Sequence, residues 1–264
     1  MTILCIETST SVCSAAICKD GVPAKQCIHY EGSNHARLLP LYIDELLQYA
    51  REKGLTIDAV ALSEGPGSYT GLRIGTSTAK GLCYGLNVPL IPIPTLDILC
   101  AAAKRSLSSV SPQDGLCSVS EQSERSVLCQ AEPVLIPMID ARRMEVYTAI
   151  FDSESKVESR KSEEERVRAV VVENEESFFT PSLLGEGRGG ASYYYFGDGA
   201  AKCQAVLTSP NWHFIPGIVP EAQYMGALAE NSRQSAISNQ QLAYYEPFYL
   251  KEFVAAQSHV KGLK

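Results

Sequence analysis

Gly65-Pro66-Gly67-Ser68-Tyr69-Thr70-Gly71-Leu72-Arg73-Ile74-Gly75 decides how the rest of the chain is read. An apolar stretch, Ala59 to Leu62, leads into this run, and a pattern dense in small residues leaves it. It therefore reads as the junction of a strand and a helix. Glycines at such a junction have two uses. They fold the backbone tightly and aim free N–H groups at an anion, or they permit a turn and close helix packing. No Lys-Ser/Thr follows the last glycine, so the run is not a Walker A loop.

Upstream, Thr2 to Ile6 reads as a central strand, Thr8 to Ser11 as a polar turn, and Val12 to Cys18 as a second strand. Asp20-Gly21 turns into a third strand near Ala24 to Tyr30. Three successive strands predict a meander. Ser33 or Asn34 caps a helix whose apolar residues are Leu38, Leu39, Tyr42, Ile43, Leu46, Leu47 and Ala50. Pro40 must lie near its first turn or kink it. Downstream, a helix from about Leu72 to Leu86 carries glycines at 75, 81 and 85. Each costs roughly 1 kcal/mol against alanine, which implies that another backbone approaches closely. A strand at Val88 to Ile93 and a helix from Thr95 to about Lys104 follow.

Arg105 to Glu132 is Ser-rich and reads as a loop or insert. Val134 to Ile139, a turn at Asp140 to Arg143 and a return strand from Glu145 to Phe151 repeat the opening pattern of strand, acidic strand end, polar turn, strand. That echo predicts a duplicated domain. Glu154 to Glu165 reads as a solvated hairpin or loop. Later come a strand at Tyr193 to Phe196, a helix from Gly199 to about Leu207, a strand at His213 to Ile215, and a helix opened by Pro220 that runs to about Asn231. The tail from Leu242 to Val254 is aromatic and extended. The expected division is 1–103, a linker or insert at 104–133, and a second lobe at 134–264 whose end returns to the first.

The 264 residues are 45% hydrophobic, enough for one large or two small cores, and carry a formal net charge of −7. A chain that grips nucleic acid by itself usually presents a basic surface, so contact with an RNA is expected only through a partner. Nine cysteines form no Cys-x-x-Cys pair, and the opening stretch reads as a strand rather than a signal peptide. Reduced, buried thiols in a cytoplasmic protein are expected. No apolar run reaches the ~20 residues of a membrane span.

Read in order, Ile6-Glu7-Thr8-Ser9-Thr10, Gly65 to Gly75, Ile139-Asp140-Ala141-Arg142, Glu145-Val146-Tyr147 and Glu246-Pro247-Phe248-Tyr249-Leu250 resemble the TsaB (YeaZ) family. The resemblance runs from Met1 to about Val254. It implies an α/β fold of two ribonuclease-H-like lobes of the actin, sugar kinase and Hsp70 (ASKHA) superfold. It also implies a non-catalytic role: pairing with the TsaD-type subunit that forms threonylcarbamoyladenosine at position 37 of tRNA. A small P-loop ATPase of the TsaE type would join the pair, and the chain alone would form a homodimer. No cofactor is expected.

The superfold also hosts ATPases and sugar kinases, which keeps an enzyme as the alternative. Glu7, Thr8, Ser9, Gly65, Gly67 and Ser68 are the candidates for a remnant phosphate site, with an ordinary polar turn as the competing reading. None of the four histidines, His29, His35, His213 and His259, pairs at helical ligand spacing, so no metal is expected. Ser68 has no base assigned by the sequence, and M22-type peptidase chemistry is disfavoured for lack of both nucleophile and metal. The resemblance points to the first two helices as the pairing surface. The candidate interface residues are His35, Leu38, Leu39, Tyr42 and Leu46 on the first, and Arg73, Ile74, Thr76 and Ser77 on the second.

Overall fold

The computed structural model describes residues 1–32, 34–109, 133–151, 167–178 and 191–251. The opening meander is present as β1 (Thr2–Glu7), β2 (Cys13–Lys19) and β3 (Val22–His29). Helix α1 (His35–Glu52), β4 (Ala59–Gly65), α2 (Tyr69–Leu86), β5 (Leu90–Pro94) and α3 (Thr95–Ser109) follow. The first sheet has the order β3-β2-β1-β4-β5. Strands β1, β2 and β3 pair antiparallel, while β4 and β5 continue parallel to β1.

Strand alternation sorts this sheet's side chains into two cores. Leu4, Ile6, Ala15 and Ile17 face one way and pack with Leu39, Ile43 and Leu46 of α1 and Ala79 and Cys83 of α2. Ile3, Cys5, Ala16 and Cys18 face the other way.

The second sheet contains β6 (Val134–Asp140), β7 (Glu145–Thr148), β8 (Arg168–Val171), β9 (Tyr193–Phe196) and β10 (Trp212–Ile215). Its order is β10-β9-β6-β7-β8. Matching β6 to β1, β7 to β2, β8 to β3, β9 to β4 and β10 to β5 reproduces the first sheet's order. The strand directions match as well. The echo between the two hairpins in sequence is therefore a duplicated five-stranded sheet. Between the lobes, Leu96, Leu99 and Ala103 of α3 pack with Leu135, Ile139 and Phe196 of the second sheet.

Helix α4 (Met225–Asn231) follows the second sheet in sequence but packs on the first. Met225 and Ala229 lie in the cluster with Ile3, Cys5 and Cys18, and a Cβ on Gly226 would come within 2.6 Å of Cys18 Cβ. Ile237 then pairs with Leu90 beside β5.

Several expectations change. Helix α2 begins at Tyr69, because Ser68 caps it by accepting a bond from Gly71 N–H. Asn34 precedes α1 but makes no side-chain cap, and Ser33 lies outside the described residues. Pro40 sits inside an uninterrupted α1 on the exposed face, where water can satisfy the carbonyl it leaves unpaired. The helix expected from Gly199 to Leu207 is a single 3-10 turn, Ala201–Cys203, and the one expected from Pro220 is a 3-10 turn, Ala222–Tyr224, leading into α4. Strand β8 was not expected. Most of the Ser-rich segment and all of the charged segment at 154–165 lie outside the described residues. Among the described residues no helix is long and apolar enough to cross a membrane.

Candidate functional site

The turn after β1 carries the first chemistry. Glu7 is fully buried, and its Oε1 accepts bonds from Ser9 N–H at 2.6 Å and Ser9 Oγ–H at 2.5 Å. Burial pushes its carboxyl up from the ordinary 4.5 to about 7, against the lowering effect of the Ser9 bonds. Oε2 has no partner. Thr8 Oγ1 donates to Gly71 O at 2.8 Å, and Ser9 O accepts from Ser68 N–H at 2.6 Å. Thr10 O lies 2.9 Å from His35 Nε2. A carbonyl only accepts, so that ring nitrogen carries the proton.

Of the two uses of the glycines, these bonds display close packing. A Cβ on Gly67 would overlap Ser9 O, one on Gly71 would overlap Thr8 O, and one on Gly75 would overlap Thr8 Oγ1. At Gly65, φ is +120° and a Cβ would overlap Phe248 O. The run seats the start of α2 directly on the β1–β2 turn. Glu7, Thr8, Ser9, Gly65, Gly67 and Ser68 do come together, but Ser68 N–H and Gly71 N–H are already engaged within the chain. Two of the N–H groups a phosphate would use are thus spent on a packed joint, while Ser9, Gly67 and Ser68 still border the cleft.

The second lobe builds the matching joint. After β9, a Cβ on Gly197 would overlap Met138 O, and one on Gly199 would come within 2.8 Å of the Ile139 carbonyl carbon. Asp198 Oδ1 accepts from Asp140 N–H at 3.1 Å. Asp198 is open to solvent, yet the protein packed around its carboxyl raises its pKa, the neighbouring Asp140 carboxylate adding to the effect. Lys202 is paired with Asp140. Arg142 and Arg143 take φ of 70° and 53°, a region that residues other than glycine seldom adopt. Between the joints lies a cleft of about 690 Å³, bordered by Ser9, Ser68, Thr70, Arg142, Asp198 and Tyr249 among others. Among the described residues no group of three or more His, Cys, Asp or Glu converges to hold a metal ion.

The candidate interface residues separate by depth. Leu39 and Leu46 are fully buried, and His35 and Thr76 nearly so. Leu39 and Leu46 pack in the lobe's own core and His35 Nε2 meets Thr10 O, so these side chains are turned inward. Leu38, Tyr42 and Ile74 are half-buried at the edge of that core. Arg73 and Ser77 are exposed.

The outer face of α2 holds residues that were not singled out as interface candidates. Tyr84 is 82% exposed, Gly81 and Gly85 are exposed, and Leu41 on α1 is 62% exposed. Among the described residues a Cβ on Gly81 or Gly85 would meet nothing within 4 Å. The signal was available as the i, i+4 series Arg73, Ser77, Gly81, Gly85.

The family model described as "TsaD: tRNA N6-adenosine threonylcarbamoyltransferase" matches residues 31–257. Among curated proteins, the chain is 34% identical to the tRNA threonylcarbamoyladenosine biosynthesis protein TsaB of Haemophilus influenzae over 147 residues, 56% of this chain and 52% of that one. It is 30% identical to the TsaB protein of Bacillus subtilis over 152 residues, 57% and 55%. The chain thus spans about half the length of the curated relatives it matches. A transferase of the TsaD name, from Prosthecochloris aestuarii, is 26% identical over 49% of this chain and 42% of its own. Among solved structures, YeaZ from Pseudomonas aeruginosa superposes with a TM-score of 0.65 at 24% identity, covering 94% of this chain and 99% of that one, a likeness of fold. The chain belongs to the TsaD family, and among its curated relatives it is similar to TsaB proteins.

Proposed function

We propose that this chain is the non-catalytic subunit of a tRNA threonylcarbamoyladenosine machinery, pairing with a TsaD-type transferase. The products would be tRNAs reading ANN codons, modified at adenosine 37. The reading divides the chain into an interface lobe at 1–103, a linker or insert at 104–133 that opens with the end of α3, and a second lobe at 134–264 whose end returns to the first, as α4 does. The lobe pairs through the outer faces of α1 and α2: Leu38, Tyr42, Arg73, Ile74 and Ser77, joined by Gly81, Tyr84 and Gly85. The same face makes a homodimer when the partner is lacking. A TsaE-type ATPase joins the pair, tRNA is met only through the complex, and the machinery is cytoplasmic.

The observation that carries this reading is the pair Gly81 and Gly85. Glycine weakens a helix by roughly 1 kcal/mol against alanine. Among the described residues nothing fills the space above both, and Tyr84 stands beside them almost fully exposed. A facing helix that packs backbone to backbone accounts for glycines that the chain's own packing does not require. The TsaB names of the curated relatives support the same reading. Co-purification with the TsaD-type protein of the same genome tests it: wild type is retained and Gly81→Leu is lost. Equal retention of both would sink the surface.

The interlobe cleft keeps a second reading open, a nucleotide-using enzyme of the superfold. Calorimetry with ATP and Mg²⁺ on the isolated chain separates the two. Turnover with micromolar affinity would favour the enzyme, and the absence of binding heat would favour the partner role.

A further inference from the structure

After its last 3-10 turn, Leu242–Tyr244, the chain does not simply trail off. Residues 246–251 run from one lobe to the other across the mouth of the cleft, where Tyr249, Leu250 and Lys251 form part of its wall. On the first lobe, Phe248 N–H donates to Glu64 O at 2.7 Å. Phe248 O occupies the space where a Cβ on Gly65 would stand, so the glycine that ends β4 is matched to this passage. The Tyr249 ring packs on Tyr69, the first residue of α2, with centroids 5.1 Å apart. The same Tyr69 ring lies 4.3 Å from the Arg73 guanidinium.

On the second lobe, Lys251 pairs with Glu145, the first residue of β7, and its Nζ lies 5.9 Å from the Tyr147 ring centroid. Between these anchors Phe248 and Leu250 pack against the apolar cluster that joins α3 to β6. The side chains alternate: 248 and 250 turn to the apolar junction, 249 and 251 to the flanking lobes.

We propose that residues 246–251 are an intramolecular strap that sets the spacing of the two lobes. In two-lobed binding proteins a ligand bound between the lobes performs that task; here a covalently attached segment performs it at all times. A passive tail would touch one lobe or lie along one edge. This one has polar anchors on both sides of the cleft and apolar anchors at the junction between them.

Hydrogen exchange on the full chain, read by mass spectrometry, tests the strap. Tyr249→Asp combined with Lys251→Glu should raise exchange at least fivefold on both cleft walls, at residues 8–11 and 67–71 and at residues 139–142. Exchange in β1, β4 and α4 should stay as in wild type. Tyr249→Phe, which keeps the ring stack, should match wild type throughout. A rise confined to residues 246–251, or a rise on one wall only, would overturn the proposal, as would a Tyr249→Phe variant as loose as the double variant.

Discussion

At the scale of single residues, Glu7 and the glycines carry most of the account. Glu7 was legible as an acidic strand end, but its burial was not, because that follows from α2 seating on the turn through residues some sixty positions away. A carboxyl whose folded pKa is raised holds its proton more tightly in the folded chain. Its contribution to stability is therefore full below 4.5 and is lost as pH rises from there to about 7. Glu7→Gln removes that titration. The variant should melt higher relative to wild type at pH 8 than at pH 5, and an equal difference at both would contradict the buried, proton-holding Glu7.

The glycines separate into two kinds that look alike in sequence. Gly71→Ala drives a methyl into Thr8 O and should cost about 2 kcal/mol or more in denaturant unfolding, as overpacking does. Gly81→Ala meets open space and should stabilise the isolated chain by roughly 0.5–1 kcal/mol. A destabilised Gly81→Ala would mean that the outer face of α2 is constrained by the chain itself.

At the scale of elements, the first lobe was readable because its patterns are long and regular. Strands β1 to β5 and helices α1 to α3 all follow from alternation, the Gly65 to Gly75 junction and the 3.6-residue stripe. The depth of each stripe residue was not readable. Leu38 and Leu39 are adjacent and both apolar, yet Leu39 points into the sheet and Leu38 sits at its edge. Leu39→Asp should therefore unfold the lobe, with a loss of about 4 kcal/mol or more, rather than detach a partner. Ile74→Glu and Ser77→Arg should leave the monomer's melting temperature within a few degrees of wild type while abolishing pairing, measured by size exclusion with the partner. The second lobe was harder to read because its elements are short. Strand β8 is four residues, Arg168–Val171, next to a charged run that masks alternation. The turn at Ala201–Cys203 is too short for a helical period to show.

At the scale of the whole molecule, the duplication organises everything else. Two sheets of one topology place their β1 and β6 ends opposite each other. Each end is closed by a Gly-x-Gly turn, Gly65-Pro66-Gly67 in one lobe and Gly197-Asp198-Gly199 in the other. In this chain those turns pack on their own neighbours, and the strap borders what space remains between them. Among the described residues, the outer face of α2 is a surface that internal packing leaves unexplained, and function is proposed there.

The threonylcarbamoyladenosine content of digested tRNA, read by mass spectrometry, tests this most directly. The host is a bacterium depleted of its own TsaB that expresses this chain together with the TsaD-type protein of the same genome. The account predicts restored modified nucleoside with the wild-type chain and none with Gly81→Leu expressed at the same level. Absence of the nucleoside with wild type, or full restoration with Gly81→Leu, would contradict it.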